Sequence, residues 1–137
     1  MRVALCLYGT IGGTTGKSGN KIGSQLDVFQ HAFPHYEKFI LNKNNVDVFI
    51  HSWDLNIEEE VISNYKPKIS KFEKQIVFDI PENIEKSQRV QNHFSRWYSC
   101  KEVISYKRKL EEENKFKYDF VMLSRQDLAW QRDLIFS

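Results

Sequence analysis

Val3-Ala4-Leu5-Cys6-Leu7-Tyr8-Gly9 is a continuous apolar run that stops on a glycine. A half-exposed strand alternates polar with apolar residues, so an unbroken run predicts a strand covered on both faces, as in the middle of a parallel sheet. Further along the chain, Val46-Asp47-Val48-Phe49-Ile50 predicts a second strand and Ile76-Val77-Phe78 a third, closed by Asp79-Ile80-Pro81. A fourth runs from Tyr118 to Leu123. Leu26, Phe29, Phe33 and Tyr36 recur every three or four residues, as on one face of a helix, and Pro34 predicts a kink or a second helix starting near Phe33. A short helix over Asn56 to Tyr65, capped by Asp54 or Asn56, and a long one over about Ile84 to Asn114 complete the alternation. Strand, loop and helix repeating in this way specify an α/β domain over residues 1–137, with a mostly parallel sheet of about four strands flanked by helices.

Composition supports one core. The 137 residues are 41% hydrophobic and 14% aromatic, with ten Phe, six Tyr and three Trp to fill an interior. Twenty basic and eighteen acidic side chains interleave to a net charge of +2, which does not point to nucleic acid or an anionic membrane. No stretch approaches the ~20 apolar residues of a transmembrane helix. The first apolar run breaks too early for a signal peptide, so a cytoplasmic protein is expected. Cys6 and Cys100 have neither metal-ligand nor disulfide-framework spacing and read as structural thiols. Lys107 to Glu113 reads as a solvated helical end, and the aromatic residues of the long helix as a core stripe that could also support a homodimer.

Polar residues cluster where the predicted strands end, a favoured ligand position in open α/β sheets. After the first strand, Gly9 and Thr10 lead into Gly12-Gly13-Thr14-Thr15-Gly16-Lys17-Ser18, which ends like a phosphate loop. The spacing is wrong, however, because a Walker loop requires glycine at the position held by Ile11. Backbone amides near Gly9 and Thr10 could still meet a diphosphate, and the same composition also fits a plain flexible turn. His51, Trp53 and Asp54 follow the second strand: an imidazole, a flat wall and a carboxylate, or a packed sheet edge with Asp54 capping the next helix. Arg125-Gln126-Asp127 follow the fourth. Arg125 could neutralise phosphate and Asp127 could contribute one oxygen to Mg²⁺ or Mn²⁺, or the two could pair with each other and fix the turn.

Taken together, Val3 to Gly9, Asp47-Val48-Phe49-Ile50-His51-Ser52-Trp53 and Tyr118-Asp119-Phe120-Val121-Met122-Leu123-Ser124-Arg125-Gln126-Asp127 resemble the amino-terminal half of polysaccharide-biosynthesis glycosyltransferases. The resemblance implies a Rossmann-like fold like the donor half of the GT-A, nucleotide-diphospho-sugar transferase, type. It implies a nucleotide-diphosphate sugar as ligand, a glycan acceptor, and a truncated or minimal donor domain. Asp127 then matches the last acidic residue of an Asp-any-Asp metal motif, and Arg125 stands where its first Asp would be. Two functions are therefore expected to compete: glycosyl transfer in glycan or polysaccharide biosynthesis, and a noncatalytic binding or interaction module that keeps the donor-half fold. Either way Gly9, Thr10, His51, Arg125 and Asp127 should approach one cleft, with Asp127 the metal ligand.

Overall fold

The first apolar run forms strand β1 (Arg2–Gly9), and Val3 to Tyr8 are all buried. The structure is a computed structural model that describes residues 1–11 and 24–137; the glycine-rich loop with Lys17 lies outside the described residues. β1 pairs in parallel with β2 (Asn45–Ser52) on one side and with β4 (Phe120–Arg125) on the other. β3 (Ile69–Phe72) pairs in parallel outside β2, giving the order β3-β2-β1-β4. Because side chains alternate across a strand, Leu5 and Leu7 face one layer of helices while Ala4, Cys6 and Tyr8 face the other. The result is a Rossmann-like parallel sheet with a core on each face.

Helices α1 (Gln25–Phe39) and α2 (Glu58–Tyr65) cover the Leu5 face with Phe29, Tyr36, Val61 and Tyr65. Helix α3 (Gln88–Asn114) covers the Cys6 face with Cys100 and Val103. This division follows from handedness. Two crossovers step outward from β1 to β3 and the third returns past β1 to β4, so right-handed connections place the third helix on the opposite face. The strand order therefore reverses beside β1, between β1 and β4, and the carboxyl ends there are left uncovered by either layer.

Several boundaries differ from expectation for identifiable reasons. The third strand is not Ile76-Val77-Phe78 but the less apolar Ile69–Phe72, which has to satisfy only one neighbour at the sheet edge. Phe78 instead pairs its backbone with a side-chain amide, donating to Gln91 Oε1 at 2.9 Å and accepting from Gln91 Nε2 at 2.6 Å. α3 starts at Gln88 because Ser87 caps it, its hydroxyl accepting from the Val90 amide. α1 runs unbroken through Pro34, which lies on the exposed side where water can satisfy the carbonyl it leaves unpaired. Ser24 and Asp27 form a reciprocal capping box at its start. The tail after β4 forms no strand; the Leu134 amide donates to the Phe39 carbonyl and Asn44 clasps Leu134 and Phe136.

Cys6 and Cys100 are free and buried, and burial pushes the Cys6 thiol up to about 12. Among the described residues no helix is long and apolar enough to cross a membrane. The end of α3 is less solvated than its charges suggest. Glu111 is buried, accepts from the Tyr118 amide at 3.0 Å, and meets Lys107 at 2.8 Å and Lys117 at 3.4 Å. It thereby locks the turn that delivers β4. Burial alone would raise its carboxyl, but the hydrogen bonds from Lys107 and Tyr118 outweigh that and bring it down to about 2. A carboxyl lowered on folding contributes stability above its unfolded value, and that contribution is lost as pH falls from about 4.5 towards 2. Glu111→Gln should therefore cost roughly 2–3 kcal/mol at neutral pH in urea unfolding, and the gap to the parent should close across that acidic window.

Candidate functional site

A cavity of about 490 Å³ opens at the strand reversal, floored by Tyr8, Gly9 and Thr10 from the end of β1 and by Arg125 from the end of β4. Trp53, just past β2, forms one wall, and Gln75, Asn92, Ser95 and Arg96 close the α3 side. Of the five residues expected to share a cleft, Gly9, Thr10 and Arg125 line this cavity. His51 and Asp127 end at the same sheet edge without lining it.

His51 is fully buried and points at α3, as the alternation from Phe49 requires. Its Nδ1 lies 2.6 Å from Ser99 Oγ and its Nε2 3.0 Å from Glu73 Oε2. Ser99 Oγ also accepts from the Gly9 amide at 2.8 Å, and Glu73 meets Lys71 at 3.2 Å. Burial lowers the His51 pKa, while its bond to Glu73 opposes that shift. Glu73 would be raised by desolvation, but the bonds from His51 and Lys71 hold it below its ordinary value. A neutral imidazole beside an ionised Glu73 carries its proton on Nε2, which leaves Nδ1 to accept from the Ser99 hydroxyl. Ser, His and Glu thus stand in the order of a nucleophilic triad. Ser99 is fully buried, though, and its oxygen is occupied by the Gly9 amide, so the chain positions the end of β1 rather than attacking a substrate.

Asp54 does not cap a helix with its side chain. Its carboxylate turns inward and collects four donors: Thr10 Oγ1 at 2.6 Å and Gln25 Nε2 at 2.7 Å on Oδ1, the Ile11 amide at 2.7 Å and Ser52 Oγ at 2.9 Å on Oδ2. Burial pushes its pKa up and the Asp127 charge adds to the rise, while the bonds from Thr10, Ile11 and Ser52 pull it down. On the far side, Arg125 holds Asp127 in a fork, Nε to Oδ1 at 3.0 Å and a terminal nitrogen to Oδ2 at 2.5 Å. The expected turn-fixing pair is thus present. Tyr36 supports it from below, its hydroxyl bonding Ser124 Oγ and the Arg125 carbonyl.

The cavity carries two guanidinium groups and, among its described lining residues, no carboxylate. Arg96 makes no ion pair among the described residues and lies over the Tyr8 and Trp97 rings. Trp53 stacks on Tyr98; among the described residues its buried indole N–H has no partner, nor has either amide atom of buried Gln126. Among the described residues no three His, Cys, Asp or Glu side chains stand together as a metal would require. Each carboxylate oxygen of Asp127 accepts from Arg125. Arg96, Gln75, Asn92 and Ser95 were not singled out by sequence. The spacing of Arg96, Ser99 and Val103 puts them on one flank of a helix, yet which strand end that flank overhangs is decided only by the crossover.

Asp54→Ala should leave the Ile11 amide and three side-chain donors without an acceptor, and should lower the stability measured in urea by about 2–4 kcal/mol. A loss below about 0.5 kcal/mol would show that these donors find water instead.

The chain matches no family model, no curated protein and no solved structure.

Proposed function

We propose that this cavity binds the diphosphate of a nucleotide-diphosphate sugar, and that the chain takes part in glycosyl transfer to a glycan acceptor. The observation that carries the proposal is the pair Arg96 and Arg125 facing one cavity at the strand reversal. Arg96, without an ion pair among the described residues, can take phosphate oxygens in a planar fork over the Gly9 and Thr10 backbone, and Arg125 adds the guanidinium N–H groups that Asp127 leaves unused. Tyr8 and Trp53 offer flat apolar surface to a base or sugar ring, while Gln75, Asn92 and Ser95 offer hydroxyl partners. Fixed cations at the diphosphate would stabilise the charge that develops there as the sugar leaves. Mg²⁺ or Mn²⁺ would join through Asp127 only after Arg125 releases it, with phosphate and water supplying further oxygens.

A second reading, donor binding without turnover, is favoured by one feature. None of the described lining residues is an Asp, Glu or His that could serve as a base. Calorimetry with nucleoside diphosphates and their sugar esters, with and without Mg²⁺ or Mn²⁺, tests both. Binding in the micromolar to millimolar range is expected, and Arg96→Ala and Arg125→Ala should each weaken it roughly tenfold. Absence of binding by the folded chain would end the donor reading. Donor hydrolysis or sugar transfer that disappears in Asp127→Ala would rule out the noncatalytic one.

A further inference from the structure

The two edges of the sheet are built differently. β3 is four residues long, carries Lys71, and is preceded by Lys66-Pro67-Lys68, the features that keep a strand edge from pairing with another chain. β4 has six residues and no lysine, proline or bulge; its outward face on the α3 side shows Val121 and Leu123, 45% and 44% exposed. Trp97 on α3 is 66% exposed. No strand pairs with the outer edge of β4 among the described residues.

From this asymmetry we infer that β4 is the interface of a two-fold homodimer, pairing antiparallel with β4 of a second copy. The register is set by the strand itself. The Gly9 carbonyl accepts from the Trp53 amide, so the odd-numbered residues of β1 turn their backbone groups to β2; in the parallel pairs Val3–Phe120, Leu5–Met122 and Leu7–Ser124 the β4 residue is therefore the one that bonds inward, and Val121, Leu123 and Arg125 turn outward. Centring the pair on Met122 puts Val121 opposite Leu123 of the second copy, so every outward amide of the strand meets an outward carbonyl. In that same register Asp119 faces Arg125. Apolar residues therefore meet apolar ones, and at each end Arg125, which also holds Asp127, lies opposite Asp119, as a self-complementary two-fold contact requires. A shift by one residue would oppose outward amides to inward ones, and a shift by two would break both charge pairs.

The two sheets become one continuous eight-stranded sheet, an arithmetic doubling of the four strands of each copy. Each cavity then lies near the junction through its Arg125.

Sedimentation of the whole chain over a concentration series tests the assembly, and cysteine pairing tests the register. A dimer is expected, and Val121→Lys with Leu123→Lys should weaken it by roughly a hundredfold or more while leaving the circular dichroism unchanged, since both side chains are already exposed. Under mild oxidation a mixture of Val121→Cys and Leu123→Cys chains should link far better than either variant alone. A chain that stays monomeric, a dimer that survives both lysines, or equal linking in the mixed and single samples would each overturn the inference. If the lysine variant misfolds, the cysteine comparison still decides it.

Discussion

One carboxylate ties the loaded end of the sheet together. Asp54 follows β2, yet its four donors come from the residues after β1, from the last residue of β2 and from the first residue of α1. Those elements have no backbone ladder in common beyond their strands, and a buried acidic group satisfied by neutral donors holds them where ordinary packing would allow them to splay. Gly9 adopts a positive φ of 85°, a conformation open to glycine, and this lets the chain turn from β1 towards that carboxylate. The cavity floor at Gly9 and Thr10 is a by-product of that turn. On the other face the Ser99–His51–Glu73 chain pins the same glycine through its amide, so the floor is held from both layers.

Much of the architecture could be read directly from residue pattern. The uninterrupted burial of β1, the polar exits of β2 and β4, and the inward set Ile57, Val61 and Tyr65 all follow from period and composition. Edge elements were harder. Ile76-Val77-Phe78 has the apolar look of a strand, but a strand is defined by a partner, and Phe78 found a glutamine amide while the more polar Ile69–Phe72 lay within reach of β2. The core stripe of α3 was likewise misplaced. Trp97 lies outside it, whereas the small Ser99 and Cys100 face the sheet, where Ser99 bonds the Gly9 amide and His51.

Candidate site residues divide in the same way. Position at a strand end was legible, and it brings Gly9, Thr10 and Arg125 to one cavity. Side-chain direction was less so, since a one-residue change of parity carries a side chain through the sheet; His51 ends beneath α3 for that reason. Asp54 read as a helix cap because cap and buried acceptor share the same residue type, and only the distant donors distinguish them.

The pairing of β1 with β4 has a consequence for the order of events during synthesis. Val3 meets Phe120 and Tyr8 meets Arg125, contacts that span nearly the whole chain, whereas β1 and β2 can pair as soon as α1 has emerged. Chains are made from the amino terminus, and contacts distant in sequence pay the largest closure entropy. The β1–β2–β3 half therefore collapses first, with one flank of its most apolar strand bare. The last strand to arrive covers that flank and brings with it the arginine that completes the cavity. A nascent chain thus acquires this cavity at the moment its central strand ceases to be an aggregation hazard.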